Sequence, residues 1–224
     1  MSRLPSDLRA VLAAAVSLGL AVGVFGFSFG VLAAATGLTP ARAVAMSSLV
    51  FTGSAQYAAV SAVAMGASAA TAVTSGLLLN TRCLAFGLTV APHLGGRWTR
   101  RLLGAHLVID ESTAMAAAAT TPGRARWAFW ATGVSVFVCW NAATLAGVLA
   151  QSAIGDPRDL GLDAVFPAAF IALLVPLVRG RAPRVAALAG GAVALAAVPV
   201  LTPGLPVTAG ALGVAAGLAV ERRR

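Results

Sequence analysis

Residues 69–91 read AATAVTSGLLLNTRCLAFGLTVA, a run in which Arg82 is the only charged residue. A bilayer core needs about 20 consecutive apolar residues for one helical crossing. The run is therefore long enough to be a transmembrane helix, yet Asn80 and Arg82 lie well inside it. An arginine at membrane depth costs about 3 kcal/mol to insert and usually faces the protein interior. The run predicts both a membrane span and a polar centre within that span.

The rest of the chain has the same apolar character. Of its 224 residues 59% are apolar and only 10% are charged, with a mean hydropathy of +0.89, whereas roughly a quarter of a soluble domain is charged. The composition excludes an ordinary soluble protein and predicts an all-α integral membrane protein, a helical bundle in one polytopic domain over residues 1–224. Eight apolar segments are predicted as spans: up to Ala35, Ala43–Met65, Ala69–Ala91, Leu102–Thr121, Trp127–Ala150, Leu162–Val178, Val185–Leu201 and Val207–Val220.

The net charge of +9 comes from sixteen arginines and no lysine. Arginines in short loops mark cytoplasmic faces, and the aromatic interleaving expected of a nucleic-acid surface is missing, so no nucleic-acid partner is predicted. With eight crossings most arginines and the C-terminus lie in the cytoplasm, but Arg97, Arg100 and Arg101 lie outside, against the rule. Two alternatives stay open: eight spans, or seven spans with Leu102–Thr121 as a re-entrant segment.

A weak internal sequence repeat relates the two halves of the chain. Residues 30–33 and 147–150 both read GVLA, and 50–55 (VFTGSA) loosely matches 165–170 (VFPAAF). Many secondary transporters are built from repeated halves with discontinuous helices. The repeat predicts two pseudo-symmetric halves, about 10–100 and 127–220. Their relative orientation depends on whether Leu102–Thr121 crosses the membrane.

Glycines at positions 19, 23, 26 and 30 form a stripe on the first helix, which favours close packing against a neighbouring helix. Alternatively, the stretch from Gly26 to Gly30 unwinds and its backbone holds a zwitterionic substrate. The amide of Gln56 in the second segment needs a helix partner or a wet cavity, because hydrocarbon satisfies none of its polar atoms. The predicted substrate-binding residues are Gly26, Ser28, Gly30, Gly53, Ser54, Gln56, Asn80 and Asn141.

Arg82 requires an acidic partner at membrane depth. Asp110 and Glu111 are the only acids in the central part of an apolar segment, and adjacent helical residues point about 100° apart. One of them is predicted to meet Arg82. The other is then free to bind and release a proton, since burial favours the protonated form of a carboxyl group. The alternative is an interfacial turn that keeps both acids in water.

No motif for enzyme chemistry is present: the sequence has no GxSxG, P-loop or HExxH pattern. Cys83 and Cys139 lack the paired spacing of a metal site or a disulfide framework. The sequence therefore predicts a transporter without a metal or cofactor, and not an enzyme.

Taken in order, five motifs resemble the AzlC family of branched-chain amino acid permeases, named for azaleucine resistance. The match covers roughly residues 20–175 and differs in one place, since Cys83 follows Arg82 where the family usually has histidine. The motifs are residues 26–32 (GFSFGVL) with 35–38 (ATGL), 51–56 (FTGSAQ), 80–82 (NTR), 110–111 (DE) and 162–170 (LDAVFPAAF).

The resemblance implies export of valine, leucine, isoleucine or related neutral amino acids across the bacterial plasma membrane. It also implies an ion gradient, protons being the expected ion, as the driving force, and a small, separately encoded AzlD-type membrane subunit as partner. Two other functions stay open from the residues alone: a channel or facilitator for another small solute, and a scaffold that stabilises a partner. The oligomeric state is likewise left open.

Overall fold

The structure is a computed structural model that describes residues 6–154, 178–201 and 205–222, with seven further positions between 155 and 177. Every regular element in these residues is helical. Most of the second half of the sequence repeat, 165–170, and most of the predicted span Leu162–Val178 lie outside the described residues. The elements are α1 Ser6–Ala35, α2 Pro40–Leu49, α3 Gly53–Ala64, α4 Ala69–Asn80, α5 Arg82–Leu94, α6 Trp98–His106, α7 Asp110–Ala117, α8 Pro122–Ile154, α9 Arg181–Ala197, α10 Leu205–Ala209, a 3₁₀ turn Gly210–Leu212 and α11 Gly213–Glu221.

The long helices α1 and α8 pack side by side and run parallel. Trp127 Nε1 at the start of α8 donates a 3.3 Å hydrogen bond to the carbonyl of Leu8 near the start of α1, and Gly30 near the end of α1 lies against Thr144. The stripe of glycines removes the side chains that would hold the backbones apart. We call the end where α1 and α8 begin end A, and the end where they finish end B.

The turns at end B contain residues that favour the end of one helix and the start of the next. α1 and α3 are each followed by a glycine with positive φ, Gly37 at 87° and Gly66 at 78°, as helix C-termini prefer. Thr39 and Ser68 then cap α2 and α4, each accepting a hydrogen bond from a backbone N–H three residues on. Both turns reverse the chain within four residues.

Three apolar segments are interrupted near the middle of the bundle. The breaks lie at residues 50–52 between α2 and α3, at Thr81 between α4 and α5, and at 107–109 between α6 and α7. Across Thr81 the axis bends by about 40°, so α4 and α5 continue in roughly the same direction. Short helices of this kind leave free backbone groups at each break.

In the described residues only two helices, Leu8–Ala35 and Pro122–Ile154, are long and apolar enough to cross a membrane, or three if the bent α4–α5 pair counts as one span. The structure thus supports an all-helical membrane protein but does not confirm seven or eight spans. The physical reason is that the segments 43–65 and 102–121 each form two short helices instead of one long one. Near the C-terminus α9 packs antiparallel to the 3₁₀ turn and α11, with Gly190 against Gly210 and Ala186 against Gly217.

Candidate functional site

An ion pair lies where the three breaks come together. Arg82, the first residue of α5, donates from Nη2 to Asp110 Oδ2 at 2.9 Å and from Nη1 to Asp110 Oδ1 at 3.1 Å. Its Nη2 also donates to Ser54 Oγ at 2.8 Å. The Arg82 side chain keeps 33% of its surface exposed and that of Asp110 45%. The pair is therefore only partly buried, and it holds α3, α5 and α7 together.

The starts of these three helices share one feature. The residues that precede them, Thr52, Thr81 and Ile109, make no side-chain hydrogen bond to the first N–H groups, in contrast to the capped starts of α2 and α4. The N-terminus of a helix carries partial positive charge and unsatisfied N–H donors. At α7, however, Ser112 Oγ accepts a hydrogen bond from the Ile109 N–H at 3.2 Å. The two uncapped starts, those of α3 and α5, are linked by the Arg82 side chain and make a region suited to a carboxylate.

Polar side chains continue from the ion pair along the breaks. Thr52 Oγ1 donates to Asn80 Oδ1 at 2.7 Å, which ties the end of α4 to the start of α3. Ser48 Oγ donates to Asn141 Oδ1 at 2.8 Å, and Asn141 Nδ2 donates to the Phe137 carbonyl. All four side chains of these two pairs are half-buried. They supply hydroxyl and amide groups on the partly open side of α2 and α8.

Gln56 is fully buried and its amide is engaged by the protein itself. Its Nε2 donates to the carbonyls of Val50 and Ser47 at 2.6 and 3.3 Å, and its Oε1 accepts from Trp140 Nε1 at 2.9 Å. In this structure Gln56 satisfies the carbonyls that the break after α2 leaves free. It acts as a helix-bridging group, one of the two predicted environments.

The glycines of α1 serve packing in this structure. The helix is continuous from Ser6 to Ala35, and a Cβ at Gly26 would lie 2.8 Å from the Trp140 carbonyl oxygen. Gly30 lies against Thr144, and Ser28 is fully buried beside the Tyr57 hydroxyl. The alternative in which the stretch unwinds is not observed, so Gly26, Ser28 and Gly30 lie apart from the open polar groups.

Glu111 follows Asp110 on α7 and is half-buried. The only salt bridge within the described part of the chain joins Arg82 and Asp110, so Glu111 has no cation paired with it there. In the same residues no group of three His, Cys, Asp or Glu side chains is placed to hold a metal ion.

Trp140 organises the site although the sequence did not single it out as a site residue. Its indole is stacked against Phe29 with centroids 6.4 Å apart, and a Cβ at Gly53 would lie 2.8 Å from its Cη2 atom. It touches α1, α3 and the Gln56 amide from α8. Its position within the apolar segment could have indicated this role, because a tryptophan in the middle of such a run lies far from the interfacial belt where tryptophans usually occur.

Gly53→Ala is expected to lower the stability of the purified protein, since the added methyl group meets a rigid indole. Overpacking of this kind costs about 1–3 kcal/mol, or a fall in Tm of roughly 5 °C. Thermal unfolding in detergent measures it. Gly87→Ala, with nothing near its Cβ position, is the matched control. Trp140→Phe should recover part of the loss in the double variant, and no loss in Gly53→Ala would contradict the contact.

Comparison with known proteins places this site within a family. Residues 17–154, more than half of the chain, match the family described as AzlC protein. This region holds the ion pair and all three breaks. An uncharacterized membrane protein of Archaeoglobus fulgidus is 31% identical over 172 residues, covering 75% of this chain and 74% of the relative. No solved structure matches. The chain therefore belongs to the AzlC protein family.

Proposed function

We propose that the chain is the transporting subunit of a secondary carrier that exports branched-chain or related neutral amino acids. The observation that carries the proposal is the partly exposed Arg82–Asp110 pair at the starts of α3, α5 and α7, the first two of which are uncapped. A pair of opposite charges offers one group to each end of a zwitterion. Membership of the AzlC family supports a transport function rather than an enzymatic one.

The substrate carboxylate would bind Arg82 and the N–H groups at the start of α3. Arg82 Nε is buried and has no hydrogen-bond partner among the described residues, so one donor of the guanidinium group is not committed to the protein. The substrate ammonium group would bind Asp110. An aliphatic side chain would then lie against apolar surface at the breaks, where Phe51 and Phe137 pack edge to face with centroids 5.0 Å apart.

Proton coupling is assigned to Glu111 in this proposal. Asp110 is engaged by two hydrogen bonds from Arg82. Glu111 has no paired cation within the described residues and lies next to the site on the same helix. A carboxyl group there can change protonation while the substrate-binding pair stays intact.

The orientation, the membrane and the partner subunit of the carrier are proposed from the distribution of arginines and from the family. Arg97, Arg100, Arg124 and Arg126 lie near end A, where Arg126 Nε donates to the His93 carbonyl and Arg100 stacks on Trp130. The excess of arginine favours the cytoplasm for end A. We propose a bacterial inner-membrane protein with a cytoplasmic C-terminus that works with a small AzlD-type subunit.

A two-fold relation between α1 and α8 supports repeated halves. Gly30 lies against Thr144 while Gly147 lies against Phe27. Thr144 follows Phe27 by the same number of residues as Gly147 follows Gly30, so the contact is reciprocal, as a two-fold axis requires. Because the two helices run parallel, the halves would be parallel repeats.

Efflux of labelled leucine and valine from cells that express the chain, alone and with a candidate small subunit, tests the proposal. We expect efflux that is faster than in cells without the chain and that collapses when an uncoupler is added. Absence of leucine and valine efflux with the subunit present and normal membrane expression would overturn the substrate. Efflux that ignores the uncoupler would overturn proton coupling and favour a facilitator.

A further inference from the structure

We propose that α2–α3 and α6–α7 are two re-entrant hairpins that enter the membrane from opposite faces and meet at the ion pair. Within residues 6–154, which the structure describes, only α1, α4–α5 and α8 then cross. Non-helical backbone at membrane depth is tolerated where it is buried in protein or lines a wet cavity. Phe51 at one tip and residues 107–109 at the other are buried in the protein. The topology is independent of which solute is carried.

The hairpin α2–α3 starts and finishes at end B. α2 follows α1 through the four-residue turn at end B, then descends along α8, with Ser47 bonded to Thr144 and Ser48 to Asn141. α3 runs antiparallel to α4, because Gly76 packs against Ala55 and Asn80 bonds to Thr52. The direction of α3 therefore follows from that of α4.

The direction of α4 is fixed by the end of α5. His93, one residue before the last of α5, accepts a hydrogen bond of 3.0 Å from Arg126 near the start of α8 at end A. With a bend of only about 40° at Thr81, α4 starts at end B and descends. α3 therefore rises to end B, so α2–α3 returns to the end from which it came.

The hairpin α6–α7 starts and finishes at end A. Arg100 in its first helix lies 5.6 Å from the Trp130 ring centroid near the start of α8, and Leu107 at its tip packs against Gly133 further along. α7 begins with Asp110 at the ion pair. Only four residues separate its end from the start of α8 at end A, so this segment also returns.

The two tips touch. The Phe51 ring at the tip of α2–α3 lies 6.0 Å from the ring of His106 at the tip of α6–α7, and both pack on Phe137 of α8. Each tip also contributes to the ion-pair site, Ser54 from one hairpin and Asp110 from the other. If the proposed transport function holds, a solute from end B reaches the site past α2–α3, and a solute from end A reaches it past α6–α7.

This topology removes the conflict in the loop charges. One re-entrant segment alone would make α1 and α8 antiparallel, whereas eight crossings would leave Arg97, Arg100 and Arg101 on the wrong face. Two opposed hairpins keep α1 and α8 parallel, as observed. They also put these three arginines at the same end as Arg9, Arg124 and Arg126.

Single cysteines in a background with Cys83→Ala and Cys139→Ala test the topology by labelling of intact cells with a membrane-impermeant maleimide. Ala41→Cys and Thr120→Cys are controls, since they lie on opposite faces in both topologies. We expect Met65→Cys to show the same accessibility to the maleimide as Ala41→Cys, and Thr99→Cys the same accessibility as Thr120→Cys. Ala67→Cys and Arg97→Cys provide a second position in each turn if a variant is poorly expressed.

Eight crossings give the reverse pattern, with Met65→Cys on the face of Thr120→Cys and Thr99→Cys on the face of Ala41→Cys. Either of these results overturns the hairpin concerned. Labelling needs no substrate, so a failed topology and a failed transport assignment are told apart.

Discussion

Efflux of labelled leucine is expected to fall about 100-fold when Arg82 is replaced by glutamine. Removing one partner of a hydrogen-bonded charge pair costs about 2–5 kcal/mol, and each 1.4 kcal/mol is about tenfold. The substrate carboxylate loses its cation and Asp110 is left without its partner. Initial efflux rates, normalised to the amount of protein in the membrane, measure the effect.

Two variants separate this loss from misfolding. Arg42→Gln removes an exposed arginine at the start of α2 and should transport normally. The double variant Arg82→Gln with Asp110→Asn has no uncompensated charge, so it should reach the membrane as the unmodified chain does and still fail to transport. Efflux at the original rate from the double variant would contradict a role for the pair in binding substrate.

Glu111→Gln is expected to abolish net efflux driven by an imposed pH gradient while exchange of internal for external leucine continues. Glutamine keeps the size of the side chain but neither binds nor releases a proton. Exchange needs the substrate site alone, whereas net transport needs the empty carrier to return with its proton. Proteoliposomes with labelled leucine on one side measure both rates, and net efflux should fall to the level seen with an uncoupler.

Asp110→Asn gives the contrasting result, because loss of the ion pair should impair exchange and net efflux together. Glu221→Gln, an exposed acid at the end of α11, is the matched control and should change neither rate. Net efflux that survives in Glu111→Gln and remains sensitive to an uncoupler would assign the coupling proton to another group.

Much of the fold class could be predicted from the sequence, because composition and hydropathy report directly on the solvent around the helices. The glycine stripe of α1 likewise predicted close packing, and α8 lies against it. Hydropathy does not distinguish one long helix from two short ones of equal apolarity. At the breaks Phe51 packs on Phe137 and His106, and Leu107 packs on Gly133, and these are contacts between segments that the hydropathy of a single segment does not report.

The ion pair could be predicted because an unpaired arginine at membrane depth is costly in free energy and needs an acidic partner. Asp110 and Glu111 are the only acids in the central part of an apolar segment. The environment of Gln56 could not be chosen in the same way. A buried amide is equally well satisfied by a substrate or by carbonyls that a break sets free. Only the position of the break after α2, with the Val50 carbonyl 2.6 Å from Gln56 Nε2, decides between them in this structure.

The contact between α1 and α8 limits which parts of the chain can move during a transport cycle. Gly19, Gly26, Gly30 and Gly147 each place their own backbone directly against atoms of the opposite helix. A Cβ at any of these four positions would clash with the opposite helix, so a sliding or rotation of α1 against α8 that brings a larger residue there is blocked. For the proposed transport cycle we therefore expect α1 and α8 to stay fixed relative to each other, and the short helices around them to move.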